Sequence, residues 1–147
     1  MKYLLDTDHI SFLQRHSGSE FTRLTARMEQ HSSADFALSI VSFHEQVLGA
    51  HNFINRAQTN PDMIRGYALL LETLQGFATA PILSFDAGAI AVFDELRGQR
   101  VRVSTMDLRI AAIAISRNLV LLTATIAASL CVRWGESGRS PLARAHL

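Results

Sequence analysis

Apolar residues fall along this chain in two rhythms, short continuous runs and longer stretches spaced three or four apart. Residues 2–5 form a brief apolar run closed by Asp6, and Thr7 or Asp8 is placed to cap a helix reaching Leu13. Between 17 and 30, Phe21, Leu24 and Met28 recur at helical spacing until the polar run His31-Ser32-Ser33-Ala34-Asp35 stops the pattern. Residues 36–39 read as a second strand. From 41 to 56 the helical rhythm returns, with Val41, Glu45, Leu48 and Asn52 on one face, and Pro61 opens a further helix to about Phe77, so these two form a hairpin. Residues 81–85 make a third strand, Asp86 caps a helix running to Leu96, and 101–103 is a short apolar stretch. The segment 106–116 is apolar nearly all round and should be buried, and 119–122 is the last strand. Strands alternating with helices predict a three-layer α/β/α sandwich around a mostly parallel sheet. No internal repeat, low-complexity tract or linker interrupts it.

With 147 residues, 48% of them hydrophobic, the chain suits one domain that buries a core without staples. Its single cysteine, Cys131, cannot form an internal disulfide, which favours a reducing compartment, and a cytoplasmic location is expected. The apolar run before Asp6 is only Tyr3, Leu4 and Leu5, far short of a signal-peptide apolar region, and the charge-free stretch 118–132 is too short and too polar for a membrane span. The net charge of +1 carries little, but the basic residues are almost all arginine, with Lys2 the only lysine. Arg97, Arg100, Arg102 and Arg109 cluster, and guanidinium groups suit bidentate phosphate contacts; the plainer reading is a solvated helix end.

In parallel α/β folds, sites form beyond the carboxyl ends of the strands. Asp6 would stand at the end of the first strand, Glu45 one to two turns into the helix after the second, and Asp107 at the start of the buried helix. Three carboxylates gathered there could hold one or two hard cations such as Mg²⁺ or Mn²⁺, which prefer oxygen donors and keep several waters. Such an ion lowers the pKa of its water and stabilises charge on a phosphodiester, the chemistry of nucleic-acid hydrolysis. Plainer roles compete. Asp6 or Asp8 could cap a helix, and Asp107 could favour the positive end of its own. Glu45 shares a face with Val41 and Leu48, where an unpaired carboxylate is costly, so it needs a partner. Asp35, Asp62, Asp86, Asp94 and Glu95 read as caps or solvated positions.

Three segments in order, Leu4-Leu5-Asp6-Thr7-Asp8-His9-Ile10, Ser39-Ile40-Val41-Ser42-Phe43-His44-Glu45 and Thr105-Met106-Asp107-Leu108-Arg109-Ile110-Ala111, resemble the PIN domain of VapC-type toxins. The resemblance runs from Met1 to about Thr123. It implies a Mg²⁺- or Mn²⁺-dependent endoribonuclease, the toxin of a toxin–antitoxin pair, restrained by a small VapB-type antitoxin. In that family the acids matching Asp6, Glu45 and Asp107 form the active site, the first and third being the usual metal ligands; Thr7 and Thr123 match small polar positions beside them. The expected division is a nuclease body over 1–123 and a divergent tail over 124–147. There the family's asparagine, acid and aromatic residue give way to Ala124-Thr125-Ile126-Ala127-Ala128-Ser129-Leu130, and Glu136 is the only acid after Asp107. Divergence or an altered reading frame would produce such an end. A PIN-like module that retains antitoxin or RNA binding with impaired catalysis is the alternative.

Other enzyme readings fit less well. Asp6-Thr7-Asp8 after a strand also resembles haloacid-dehalogenase-type phosphatases and receiver domains, but both need a downstream lysine, and none follows Lys2. His44-Glu45 starts a zinc-protease pattern whose second histidine is replaced by Leu48. His9, His44 and His51 are expected in polar or partly buried structural roles, and Cys131 as a small core or tail residue. Apolar residues on the helical hairpin, such as Phe53, Ile54, Met63 and Ile64, suit a homodimer or an antitoxin groove, or ordinary core packing.

Overall fold

Each strand of the sheet is apolar on both faces, as a parallel sheet covered on both sides requires. The computed structural model describes residues 1–7, 10 and 18–122. Strand β1 (Tyr3–Leu5) lies between β2 (Phe36–Ser39) and β4 (Val120–Leu122), and β3 (Ile82–Leu83) extends the sheet beyond β2. All pairings are parallel, in the order β3-β2-β1-β4, with Leu4 opposite Ala37 and Leu121. Among the described residues the α-helices are α1 (Ser19–Met28), α2 (Ile40–Arg56), α3 (Asn60–Phe77), α4 (Ala87–Gly98) and α5 (Thr105–Ser116).

Side-chain alternation along the strands sorts the core into two halves. Leu4, Ala37 and Leu121 point to one face, where they meet Phe93 and Leu96 of α4 and Leu108 and Ile110 to Ala114 of α5. Leu5, Phe36, Leu38 and Leu122 point to the other, with Ile10, Met28 and Phe77. The nearly all-apolar α5 is buried, as its composition predicts; Ile110 through Ala114 are shielded almost completely.

Four helices start in the same way. Ser39, Thr59, Asp86 and Ser104 each accept a hydrogen bond from the backbone N–H three residues on, in Ser42, Asp62, Ala89 and Asp107. These short polar side chains satisfy donors that the first helical turn leaves open. The ends are equally defined. Asn118 adopts a left-handed conformation (φ 54°), and the N–H groups of Asn118 and Leu119 close back on the carbonyls of Ile115 and Ala114. That motif stops α5 and turns the chain into β4 within three residues. Arg100 takes the same left-handed role after α4, at φ 52°, where glycine is the usual choice.

The observed strands and helices follow the sequence reading closely, with two corrections. β3 covers only Ile82 and Leu83 rather than 81–85, because Phe85 leaves the sheet to pack edge-on against Phe93 and the Ser84 carbonyl is taken by Arg117. Leu48 is exposed, so the α2 face carrying Val41 is buried only in its first turns and opens to solvent beyond Glu45. Phe53 and Ile54 belong to the hairpin itself. A Cβ on Gly66 of α3 would lie 2.6 Å from Ile54 Cγ1, so glycine allows the close approach of α2 and α3. The predicted helix to Leu13, and the expectations for Asp8, His9, Thr123, Cys131, Glu136 and the tail 124–147, lie outside the described residues.

Candidate active site

Chain geometry places Asp6 and Glu45 beyond the carboxyl ends of β1 and β2. Asp6 is the first residue after β1, only 3% exposed, and its N–H donates to the Leu122 carbonyl of the neighbouring strand at 3.1 Å. Its own carbonyl accepts from Ile10 N–H, so strand gives way to helix at this residue. Glu45 stands in the second turn of α2, the helix launched from β2 by its Ser39 cap. Thr7 joins the two, its hydroxyl donating to Glu45 Oε1 at 2.8 Å. The link spans 38 residues of sequence and fixes one carboxylate oxygen of Glu45 beside the end of β1. Glu45 therefore has the polar partner that its position on α2 requires.

Asp107 reaches the same edge by another route. The tight turn after α5 places that helix's end at the start of β4, and its residues pack along Leu4, Ala37 and Leu121, so its first turn lies toward the strands' carboxyl ends. Asp107 is part-exposed in that turn, three residues after the Ser104 cap, with its N–H on Ser104 Oγ. It is a first-turn acid rather than the cap itself. Among the described residues no three His, Cys, Asp or Glu side chains form a closed metal-ligand group. Thr7 ties the end of β1 to Glu45 directly. An all-oxygen donor set of this kind fits Mg²⁺ or Mn²⁺, which are commonly held by one or two carboxylates with the remaining positions left to water and substrate.

Beneath the corner sits a polar pair that the sequence reading did not single out. Ser39 and Ser42 are both fully buried, with the Ser39 hydroxyl donating to Ser42 Oγ at 3.1 Å while accepting from Ser42 N–H. This local satisfaction lets polar groups floor α2 without cost to the core. A Ser-x-x-Ser spacing after an apolar run is the signal that could have revealed it.

A second charged cluster lies at the junction of α4 and α5. Arg117 donates to the Ser84 carbonyl at 3.0 Å, to Ser84 Oγ at 3.2 Å and to Asp86 Oδ2 at 2.9 Å. The Ala89 amide first, and the Arg117 guanidinium after it, hold the Asp86 carboxyl below the usual carboxylate range against an opposing desolvation. This clamp ties the start of α4 to the end of α5, so the two helices run antiparallel. Nothing in the spacing of Asp86 and Arg117 announces it.

The four predicted arginines separate in the fold. Arg97 and Arg109 both lie over the Phe93 ring, at 5.5 and 5.7 Å from its centroid, whereas Arg100 terminates α4 and Arg102 is exposed in the connection to α5. His44 and His51 are exposed on α2, the latter hydrogen-bonded to Asn55 at 3.0 Å. An open cavity of about 510 Å³ lies at the α2–α3 turn, lined by residues including Phe53, Arg56 and Asp62; none of the three predicted acids lines it.

The parallel sheet in this strand order, covered on both faces by helices with acids at its carboxyl edge, defines a PIN-like α/β domain. Solved structures agree. The chain is similar to FitAcB from Neisseria gonorrhoeae, with 26% identity over 82% of this chain and 86% of that one and a TM-score of 0.60. It is similar also to VapBC2 from Rickettsia felis bound to a DNA fragment from their promoter, at 19% identity, 100% and 99% coverage and a TM-score of 0.63. A toxin–antitoxin complex from Klebsiella pneumoniae matches at 20% identity over 83% and 85% of the two chains, with a TM-score of 0.58. No family model matches the sequence, and neither does any curated protein. No described helix is long and apolar enough to cross a membrane.

Proposed function

We propose that this chain is the toxin of a toxin–antitoxin pair and acts as a Mg²⁺- or Mn²⁺-dependent endoribonuclease. The observation that carries the reading is the Asp6–Thr7–Glu45 corner: a buried acid beside a glutamate fixed by a hydroxyl, at the strand edge of a fold shared with toxin–antitoxin complexes. In this reading Asp6 and Asp107 hold the ion, and Glu45 reaches it through water or orients the attacking water. The bound ion would supply a water of lowered pKa and stabilise charge on the phosphodiester. Asp6, its backbone held between β1 and the turn to Ile10, contributes a buried carboxylate. Thr7 donates to one oxygen of Glu45 and so fixes the orientation of its carboxylate.

The proposed partner is a VapB-type antitoxin, with a homodimer of the toxin beneath it. Ile64, Tyr67, Leu71 and Leu74 on α3 support this, because they form an exposed apolar stripe at helical spacing with Ile64 71% exposed. A second reading, a binding module with impaired catalysis, is favoured by the sequence after Asp107, where Glu136 is the only acid.

Purified protein freed of antitoxin, given a panel of tRNA and structured RNA with Mg²⁺ or Mn²⁺, separates the two. Cleavage lost with EDTA and in Asp6→Asn establishes the nuclease. A folded protein that cleaves nothing and shows no carboxylate-dependent Mn²⁺ binding is the impaired module.

A further inference from the structure

We propose that Arg97 and Arg109 form a two-guanidinium clamp for RNA backbone phosphates, fixed on the buried ring of Phe93 beside the Asp107 turn. The inference rests on the nuclease reading above and names a substrate contact on the helix that carries Asp107, on a different face from that acid.

Phe93 is 5% exposed, so its ring is a foundation rather than a platform for bases. Two cations approach that one ring, and each contact orients a guanidinium while leaving N–H donors for an anion. Arg109 spends one of its donors on Met106 Sδ at 3.6 Å, a weak acceptor. Neither arginine makes an ion pair with a carboxylate among the described residues, in contrast to Arg117, whose charge is met by Asp86. Like charges brought together without a counter-charge favour an external anion.

Position supplies the rest. Because α4 and α5 run antiparallel, the end of one and the start of the other lie together, and Arg109 follows Asp107 by two residues. Residues two apart on a helix do not share a face. Arg109 thus flanks the acid from the far side of α5, and the clamp grips the backbone to one side of the bond to be cut. Arg100 and Arg102 are not held on the ring and add only diffuse charge.

The test uses the full-length Asp6→Asn protein and a fluorescent single-stranded RNA, with binding followed by anisotropy over a range of salt. Each phosphate contact contributes a slope of about 0.7 to log K against log salt on single strands. Arg97→Ala and Arg109→Ala should each lower the slope by that amount and the double variant by about 1.4. Arg→Lys at both sites keeps the charge and the slope, which guards against a mere folding defect. Arg65→Ala, whose arginine lies over Phe53 on the hairpin, should leave the slope unchanged. An unchanged slope in a folded double variant overturns the clamp, as does a parent protein that binds no RNA. Loss of polyglutamate binding with RNA binding intact would overturn it too, assigning the cations to an acidic protein. Should the slope fall while protein retaining Asp6 cuts no RNA, the clamp stands and the nuclease reading fails. Cleavage with an unchanged slope gives the reverse.

Discussion

Asp6 and Asp86 each follow a strand of the same parallel sheet and each leads into a helix. Asp6 is 3% exposed, beside a threonine–glutamate hydrogen bond that joins two elements; the Asp86 side chain is 51% exposed, capping α4 and pairing with Arg117. The difference lies in what water is allowed to do. An exposed acid loses little solvation and gains local bonds, so its presence is explained by the helix it starts. An acid taken out of water must be compensated within the protein, and that cost to folding is what a chemical role at Asp6 would offset. Sequence position after a strand does not separate the two. Burial does.

The largest effect expected from this contrast is on catalysis. Asp6→Asn should lower RNA cleavage by about a hundredfold or more, since even groups that only orient metal ligands cost ten- to a hundredfold. The variant keeps the size and shape of the buried side chain and should still fold. Saturating Mn²⁺, at about a hundred times its dissociation constant, should stabilise the parent by roughly 2.7 kcal/mol and the variant much less. Asp86→Asn should keep cleavage within about twofold. Equal loss of activity in the two variants would erase the distinction.

A smaller effect separates the glutamate from the residue that aims it. Glu45→Gln should reduce cleavage by roughly ten- to a hundredfold, and Thr7→Val by about tenfold, because the hydroxyl acts only through its 2.8 Å bond to Glu45. The valine should also cost about 1 kcal/mol of stability, the usual net worth of one hydrogen bond. If Thr7→Val lost stability but kept full Mn²⁺ affinity, the corner would be structural, and the likeness between Asp6 and Asp86 would grow.

These contrasts also mark how far the sequence could be read. Apolar runs ending in Asp6, Ser39 and Leu122 placed three strands nearly to the residue, because a parallel sheet buried on both faces leaves no polar ambiguity in them. The Asp86 cap made the start of α4 equally plain. The two-residue β3 was over-read, since its length depends on where Phe85 turns inward and on Arg117, 33 residues away from Ser84. The same holds for the site. Asp6, Glu45 and Asp107 were visible as residue types at strand and helix ends, but the Thr7 link, the Arg117 clamp and the pairing of Arg97 with Arg109 are products of packing between elements. Four neighbouring arginines gave no sign of which two a phenylalanine would hold.

The smallest expected effect concerns Asp86 and acid. Its folded-state carboxyl lies below the value of 3.8 expected for a free aspartate, so the folded protein binds that proton less readily than the unfolded chain does. A group depressed in this way contributes stability that is fully present above the unfolded value and is lost as pH falls through the folded one. The melting-temperature gap between the parent protein and Asp86→Asn should therefore be constant above about pH 5 and shrink as pH drops below about 4. Arg117→Ala supplies the finer test. Because the Ala89 amide is the largest cause of the depression, removing Arg117 should leave most of the acid-dependent loss in place, and its pH profile should resemble the parent's more than that of Asp86→Asn. A profile flattened as fully as the asparagine variant's would make the ion pair dominant, and Asp86 would be a charge clamp between α4 and α5 before it is a helix cap.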